Sequence, residues 1–236
     1  MRIIAYCPIH YGKDYLKASI ESYTDLVDEI YMLYSPTPSY GHTGNLINPD
    51  SEQELKHIAL QFRKVHWIKV HTGQEASHRS MINQYSNGAD LIIATDSDEV
   101  WNTESLEKAI PWCLEQPFGN FGVTGFRHFW RSLSKVCHDG FIPIRMIRPG
   151  LKGETRVEAT IYHFGYCITS EMMRYKWSIH GHKDELRPGW IEDTYLSDKV
   201  IDLHPVAIGL WNATYYDKNE IKYGKNKTWT SLQDTT

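Results

Sequence analysis

A pair of aspartates at the end of an apolar run is the feature of this sequence best suited to chemistry. The stretch Ala89–Trp101 is ADLIIATDSDEVW, and its apolar part, Leu91–Thr95, has the pattern of a strand buried on both faces. Asp96 and Asp98 follow, and acidic residues are depleted within strands. Beyond the carboxyl edge of an open α/β sheet, such residues lie where ligands bind. On a turn the two carboxylates can converge on one Mg2+ or Mn2+, since these cations prefer oxygen ligands.

The same acids also have a purely structural interpretation. Asn102 or Thr103 can cap a helix over Glu104–Glu115, and carboxylates near a helix start are favourable without any metal. The Asp-x-Asp tripeptide is common. Its position after an Ile-rich strand in an α/β-type chain is what favours the metal site. The sequence leaves both interpretations open.

The hydrophobic pattern predicts strands and helices in alternation around the acidic turn. The predicted strands are Arg2–Cys7 (ended by Pro8), Val27–Leu33, Val65–Val70, Phe121–Phe129, Ile142–Ile147 and Arg156–Tyr162. The predicted helices are Asp14–Tyr23, Glu52–Phe62, Glu75–Tyr85, Glu104–Leu114 and Ser170–His180. A capping box, with Ser51 and Glu54, marks the start of the second helix. The opening strand–helix–strand order predicts a right-handed βαβ unit.

The stretch LIIATDSDEVW resembles the D-x-D segment of GT-A fold glycosyltransferases, close to family 2 and to its phage-encoded type. The resemblance covers roughly Met1–His182 and depends on the order of several pieces along the chain. It implies the α/β class with a GT-A (Rossmann-like) architecture, a mixed, mostly parallel sheet flanked by helices. It also implies one domain over residues 1–236, with a nucleotide-binding half (1–100), an acceptor half (101–190) and a C-terminal extension (191–236).

The resemblance implies a metal held on a nucleotide-sugar diphosphate. Asp98 would be the main ligand and would also count as catalytic, with Asp96 on the metal or the ribose. Arg79, beside His78 on the helix before the acidic strand, matches an arginine that reaches the diphosphate. The fragment YHFGYCITSEMMRYK is similar to a signature in which a strand ends in His and a helix with Lys follows. The matching residues are His163 as third metal ligand, Lys176 in the helix, and His180 and His182 as rivals of His163.

Loops after the first two strands are expected on the same edge of the sheet as the acids. Pro8, His10 and Tyr11 follow the first strand, and in GT-A enzymes the corresponding loop reaches the nucleotide. The segment Tyr34–Gly44 is YSPTPSYGHTG, an irregular loop with groups that can bind a phosphate or a sugar. The predicted nucleotide-sugar contacts therefore also include Tyr34, Ser35 and Ser97. Packed loop residues without a ligand are the alternative.

The catalytic base is where the chain departs from the family. No clear Glu-Asp pair, which would supply the base of an inverting enzyme, lies between the acidic turn and His163. Glu192 and Asp193 form such a Glu-Asp pair, but they follow His163 in the sequence. The candidate bases are Glu158, Asp139 and Glu154. The stereochemical course, inverting or retaining, is therefore open.

Length and composition predict a soluble, cytoplasmic protein. The chain has 236 residues, a net charge of −4 and a hydrophobic fraction of 41%. Its four cysteines form no C-x-x-C pair, which indicates reduced thiols rather than disulfides or a zinc site. No apolar run reaches about 18 residues, so no membrane span is expected. The apolar start is too short for a signal peptide.

The resemblance implies a metal-dependent glycosyltransferase, a hexosyl- or pentosyltransferase using Mn2+ or Mg2+ and a nucleotide-sugar donor. The segment Gly125–Arg156 holds seven Lys or Arg and two acids, which suits a phosphate-bearing acceptor or reflects simple charge asymmetry. The acceptor hydroxyl belongs to a saccharide or glycan, or to a hydroxymethylated base in DNA. The alternatives are a nucleotidyltransferase, disfavoured by the lack of a Gly-rich phosphate loop, and a non-catalytic sugar- or nucleic-acid-binding module.

Overall fold

The computed structural model describes residues 1–37, 46–72, 75–137, 140–180, 186–197, 213–224 and 227–228. The strands are β1 Ile3–Ile9, β2 Glu29–Tyr34, β3 Val65–Lys69, β4 Leu91–Ala94, β5 Glu99–Trp101, β6 Asn120–Trp130, β7 Ser132–Cys137, β8 Ile144–Ile147, β9 Glu154–Tyr166, β10 Ala213–Tyr215, β11 Lys222–Tyr223 and β12 Lys227–Thr228. The α-helices are α1 Lys13–Tyr23, α2 Glu52–Ala59, α3 Glu75–Ser80, α4 Thr103–Glu115 and α5 Ser170–Ser178.

In the described part of the chain, β1 to β10 form one mixed sheet. Its main path has the order β10-β7-β6-β8-β4-β1-β2-β3, and β9 lies beside that path and joins β6 to β5. Strands β4, β1, β2 and β3 pair with one another in parallel. Strand β8 runs antiparallel to both β4 and β6, whereas β6 and β9 pair in parallel. The predicted α/β class, with a mixed sheet flanked by helices, is confirmed.

Apolar side chains on both faces of the central strands explain the continuous apolar runs of β1 and β4. Ile3 and Ala5 belong to a core that also contains α1, α2 and α4 side chains. Ile4 and Tyr6 point to the opposite face and pack in a second core with Ile82, just after α3. Since both faces of these strands are covered, polar residues are displaced to the strand ends.

The loop after β1 is tied to the acidic turn. Gly12 begins α1 with a left-handed φ of 107°, and the N–H groups of Gly12 and Lys13 donate to Asp50 Oδ2 at 2.7 and 3.0 Å. A Cβ on Gly12 would lie 2.3 Å from the hydroxyl oxygen of Ser97. Glycine is therefore needed here both for the backbone angle and for the close approach of the acidic turn.

The prediction that Pro8 ends β1 is wrong, because β1 continues to Ile9. The carbonyl of Ile9 accepts a bond from Ser35 on the β2 side, so the nitrogen of Pro8 points toward β4. Strand β4 pairs with β1 only as far as Tyr6 and Ala94. The missing N–H of Pro8 therefore falls where no partner strand requires a donor.

Five of the described strands, β5, β7, β10, β11 and β12, lie where the sequence predicts none, and β9 extends furthest beyond its predicted bounds. Strand β5 starts with the acidic Glu99, which hides its pattern, and β7 is a short hairpin partner of β6. Strand β9 continues to Tyr166, so the prediction that His163 ends its strand is wrong. The reason is its pairing with β6, which includes His128 with His163 and Trp130 with Tyr166.

Three helices end earlier than predicted. Helix α2 ends at Ala59 rather than Phe62, α3 at Ser80 rather than Tyr85, and α5 at Ser178 rather than His180. After α2 and α3 the chain forms tighter turns, and after α3 these make a 3-10 segment over Met81–Gln84. Such turns satisfy carbonyl groups at helix ends without extending the α-helix. The predicted capping box of Ser51 and Glu54 is confirmed.

Two other expectations concern cysteines and membranes. All four cysteines are free thiols and all are buried. Among the described residues, no helix is both long enough and apolar enough to cross a bilayer.

Candidate active site

The acidic residues after β4 form a tight turn. The N–H of Glu99 donates to the carbonyl oxygen of Asp96 at 3.0 Å, and the Glu99 carboxylate accepts the N–H of Asp96 at 3.1 Å. These reciprocal bonds close the turn, and β5 begins at Glu99. Within it, the side chains of Asp96 and Asp98 contact different partners. That the two carboxylates converge on one cation stays a prediction.

Asp96 lies between two arginines. Arg79 on α3 donates to Asp96 Oδ2 at 3.0 Å, and its second terminal nitrogen is 3.0 Å from Oδ1. Its Nε donates to Glu75 at 2.9 Å. Arg145 on β8 donates to Asp96 Oδ2 at 3.1 Å and binds the Glu99 carboxylate through two nitrogens, at 2.8 and 2.5 Å. Glu75, Arg79, Asp96, Arg145 and Glu99 thus form one chain of alternating charge, the carboxylate–arginine network.

Within the network, the pKa values of Asp96 and Glu99 are shifted in opposite directions. Burial by itself raises the pKa of Asp96, but the charges of Arg79 and Arg145 outweigh it and hold this pKa at about 2. Glu99 is only 1% exposed, and burial raises its pKa to about 7 although Arg145 opposes the rise. Asp96 therefore stays ionised at neutral pH, whereas Glu99 titrates close to it.

Asp98 faces residues from the second half of the chain. Its Oδ2 is 3.4 Å from Lys176 Nζ on α5, and its Oδ1 is 3.7 Å from His163 Nε2 on β9. Lys176 also donates to the carbonyl oxygen of Gly165 at 3.1 Å. Burial lowers the pKa of Lys176, but the charge of Asp98 outweighs it and the pKa is raised. A carboxylate, an imidazole and a persistent ammonium group thus meet at one point.

Gly165 permits this meeting. A Cβ at position 165 would lie 2.6 Å from His163 Nε2 and 2.6 Å from Lys176 Nζ, closer than any non-bonded carbon tolerates. The absent side chain therefore makes room for His163 and Lys176 themselves.

These groups line a cleft of about 270 Å3. Eight residues predicted to bind the metal or the nucleotide sugar line it: Pro8, His10, Tyr11, Arg79, Asp96, Ser97, Asp98 and His163. His78, Lys176 and His180, which the sequence also singled out, line it together with Glu75 and Ile179. The cleft lies beyond the carboxyl ends of β1 and β4, the edge at which open α/β sheets bind ligands.

His10 joins three parts of the cleft wall. Its Nδ1–H donates to the carbonyl oxygen of Ser35 at 2.7 Å, so its Nε2 accepts from the Tyr175 hydroxyl at 2.7 Å. Burial lowers the pKa of His10, in agreement with a neutral ring. Because both ring nitrogens are used, His10 can offer a ligand only the surface of its ring. Its neighbour Tyr11 places a ring 5.9 Å from Lys176 Nζ.

Tyr34 and Ser35 are not among the cleft-lining residues. Tyr34 is buried in the main core, where its ring packs 5.4 Å from that of Trp67. The Ser35 hydroxyl lies 2.9 Å and 3.0 Å from the carbonyl oxygens of Thr37 and Thr72. Both residues hold neighbouring segments together, and residues 38–44 of the predicted loop lie outside the described residues. Ser97 does line the cleft, but its hydroxyl donates to the carbonyl oxygen of Tyr11 at 2.7 Å.

The candidate bases have no confirmed place in the site. Glu158 is exposed on β9 and is not among the cleft-lining residues, and Glu154 is exposed at the start of that strand. Asp139 lies outside the described residues, as does His182, one rival of His163. The other rival, His180, lines the cleft. The identity of the base therefore stays a prediction.

Sequence reasoning missed Arg145 and His128. Arg145 stands between Ile144 and Met146 in a short apolar strand, and a charged residue in such a run is itself a signal of a buried partner. His128 forms a ring-to-ring hydrogen bond with His163, Nδ1 to Nδ1, at 2.8 Å. No sequence pattern indicates that contact, because it depends on how β6 and β9 pair.

Asp98 and His163 are the protein groups that fit a divalent cation. Their donor atoms face one another at 3.7 Å, whereas both oxygens of Asp96 contact arginines. No group of three or more His, Cys, Asp or Glu side chains suited to a metal occurs among the described residues. Two protein donors fit a cation that takes its other ligands from phosphate oxygens and water, as Mg2+ commonly does.

No protein-family model matches the chain, and no curated protein sequence matches it. Among solved structures, it is similar to residues 1–349 of S. aureus TarS, with 11% identity and a TM-score of 0.44 over 82% of this chain and 75% of that one. The UDP complex of that fragment gives 13% identity and a TM-score of 0.39 over 55% and 36% of the two chains.

A further similar structure is that of M. tuberculosis glucosyl-3-phosphoglycerate synthase, with 14% identity and a TM-score of 0.38. The match covers 56% of this chain and 46% of that one. In a longer S. aureus TarS structure the match spans only 22% of that chain. At these identities and TM-scores the likeness carries no conclusion about this chain. Function is therefore inferred from the cleft.

Proposed function

We propose that this chain is a metal-dependent glycosyltransferase that moves a sugar from a nucleotide-sugar donor to a hydroxyl group. The observation that carries the proposal is the meeting of Asp98, His163 and Lys176 in the cleft that Arg79 also lines. A carboxylate and an imidazole supply two ligands for Mn2+ or Mg2+. The arginine and the lysine supply positive charge for a diphosphate.

The charge balance of the cleft supports a cation. In the described part of the chain, the carboxylate–arginine network and the Asp98–Lys176 pair contain three cationic side chains and four carboxyls. If Glu99 is protonated, the net charge of these side chains is zero. If Glu99 is ionised, their net charge is negative. A nucleoside diphosphate brings further negative charge, so its binding needs a compensating cation.

The residues would divide the work as follows. The cation, when bound, would neutralise the charge that develops on the leaving diphosphate. Asp98 and His163 would hold it. Arg79, already aimed by Asp96 and Glu75, would donate its remaining N–H groups to diphosphate oxygens. Lys176, whose charge Asp98 maintains, would add a second cationic contact.

A saccharide is the acceptor class that we propose. The basic segment Gly125–Arg156 suggests nucleic acid, but four of its seven cations bind groups within the protein: Arg127, Arg131, Arg145 and Arg148. The exposed ones are Lys135, Lys152 and Arg156. Three exposed cations are few for a nucleic-acid backbone, whose binding depends on many phosphate contacts.

The first test measures the melting temperature with nucleoside diphosphates and nucleotide sugars, with and without Mn2+. A ligand that binds only the folded protein raises the melting temperature, so the pairing of base and metal that raises it most identifies the donor class. We expect stabilisation that needs both nucleotide and Mn2+. No stabilisation by any nucleotide, with or without the metal, would overturn the proposal.

The second test changes one ligand. Asp98→Asn keeps the shape of the side chain but removes its charge, and we expect sugar transfer or donor hydrolysis to fall at least about a hundredfold. Glu107→Gln, on the exposed face of α4, is the control and should leave the rate unchanged. Wild-type activity in Asp98→Asn at saturating Mn2+ would refute the metal role. Release of pyrophosphate from nucleoside triphosphates would instead indicate a nucleotidyltransferase.

A further inference from the structure

Two histidines on neighbouring strands face each other below the cleft. His128 on β6 and His163 on β9 are directly paired in the parallel register, which places both rings on the same face of the sheet. Their Nδ1 atoms are 2.8 Å apart, and the ring planes are nearly perpendicular, at 89°. Such a contact holds one proton: one nitrogen donates and the other accepts. The protonation of one ring therefore determines the tautomer of the other.

The second nitrogen of His163 faces the cleft. Its Nε2 is 3.7 Å from Asp98 Oδ1, longer than the roughly 2.7–3.2 Å of an N–H···O hydrogen bond. The separation suits two donor atoms that share a cation better than an N–H that donates to a carboxylate. For Nε2 to bind a cation, its lone pair must be free and the ring proton must be on Nδ1.

We propose that His128 is a positioning residue that fixes the tautomer of His163. His163 donates its Nδ1–H to Nδ1 of His128, which leaves the lone pair of Nε2 directed at the cation site. His128 then carries its own proton on Nε2. This inference rests on the proposed metal role of His163, and it adds a second residue, from β6, to the support of that site.

Packing fixes the His128 ring. The residue is 7% exposed, and its ring centroid lies 4.9 Å from that of Phe126, 6.3 Å from Phe141 and 6.0 Å from Tyr166. His163 is stacked on the same Phe126 ring, at 5.3 Å. A turn of either imidazole would break the contact between the two Nδ1 atoms and disturb these ring contacts. A metal ligand held this way keeps its direction before the metal arrives, which lowers the cost of binding.

The first experiment determines the tautomers directly. Protein labelled with 15N-histidine is studied by long-range 1H–15N NMR in the presence of Mg2+, with signals assigned by their loss in His128→Asn and His163→Ala. We expect the proton of His163 on Nδ1 and that of His128 on Nε2. The reverse arrangement, with His163 protonated on Nε2, would overturn the proposal.

The second experiment measures Mn2+ affinity from the electron paramagnetic resonance signal of the free ion, in the presence of a nucleoside diphosphate. His128→Leu removes the acceptor, and we expect the Kd for Mn2+ to rise by about 10- to 100-fold. His128→Asn keeps an oxygen near the place of Nδ1 that can accept the same proton, so its affinity should lie close to wild type. His57→Leu and His57→Asn, the same changes at an exposed histidine on α2, are the matched controls.

The outcomes separate the two proposals. If wild type and His163→Ala bind Mn2+ equally, the metal role of His163 fails and the role of His128 fails with it. If His163→Ala loses affinity but folded His128→Leu retains it, only the role of His128 is overturned. Circular dichroism and the melting temperature establish folding. Should His128→Leu not fold, the tautomers of His128 and His163 in the first experiment still decide the matter.

Discussion

The two halves of this protein supply the cleft in different ways. In the first half, Asp96 and Asp98 come from a turn beyond the end of β4, and Arg79 comes from the helix α3. In the second half, the cleft residue His163 lies inside β9 and Arg145, which binds the acidic turn, lies inside β8, whereas the cleft residue Lys176 comes from the helix α5. Functional residues at strand ends interrupt an apolar run and are visible in the sequence. Functional residues within strands differ: the charged Arg145 interrupts a short apolar run, whereas His163 takes a position that alternation already allows to be polar.

The difference follows from how the strands are covered. Strands β1 and β4 are buried on both faces, so a polar side chain in their middle would meet a core. Strand β9 has exposed or half-buried residues between buried ones, and three of the four residues of β8 are half-buried. A charged side chain within such a strand can reach a partner at the edge of the cleft.

Arg79 and Arg145 both bind Asp96, so the two arginines can be compared directly. The Arg79 side chain is 36% exposed and lines the cleft, whereas the Arg145 side chain is 13% exposed and also binds the buried Glu99. Arg79 is thus placed to meet a ligand and Arg145 to hold the turn. Equal substitutions at the two positions should separate ligand binding from stability.

The largest effect is expected for Arg145→Met. The substitution leaves the carboxylates of Asp96 and Glu99 with one cation fewer, and breaking a buried ion pair costs about 3–5 kcal/mol. Denaturant unfolding should therefore show a loss of stability of this size. A change of about 0.5 kcal/mol is typical of a surface substitution. Such a result would contradict the comparison, because it would mean that Arg145 stabilises the protein no more than an exposed residue does.

A smaller and different effect is expected for Arg79→Met. Loss of a hydrogen bond to a charged group should weaken nucleoside diphosphate binding by about 1.5–3 kcal/mol, measured by calorimetry with Mn2+ present. The free energy of unfolding should change less than in Arg145→Met, because the Arg79 side chain is partly exposed. Unchanged affinity would mean that Arg79 serves the network alone and that neither arginine meets the ligand.

The smallest effect is expected for Glu99, and it tests the role of this residue in holding the turn. Its folded pKa, raised by burial to about 7, exceeds the ordinary value of 4.5, so the folded state holds this proton more tightly than the unfolded state. Between these values the contribution of Glu99 to stability falls as pH rises, by at most about 1.4 kcal/mol per pH unit. Asp96 has the opposite sign, since its lowered pKa costs stability only in acid.

Glu99→Gln is neutral at every pH and should remove that slope. The free energy of unfolding of the variant should therefore fall less between pH 5 and pH 7 than that of wild type. Glu107→Gln, exposed on α4, is the control and should keep the wild-type slope. Equal slopes in Glu99→Gln and wild type would show that Arg145 keeps Glu99 ionised throughout this range.

The sequence by itself determined the α/β class, the four parallel strands, most helix starts and the position of the acids after β4. These features depend on local causes. Apolar periodicity follows from burial, and Ser51 or Asn102 caps the helix next to it in the chain. Such local causes lie in residues that are close together in the sequence, so they can be recognised from a single sequence.

Only the tertiary structure decided which residues meet. The separation of Asp96 from Asp98 depends on β8 lying between β4 and β6, which brings Arg145 to the acidic turn. The contact of His128 with His163 depends on the parallel register of β6 and β9. Strand order and register arise from packing between distant segments, and a shift of one residue would turn each side chain to the other face. The spacing of residues along the chain therefore does not indicate strand order or register.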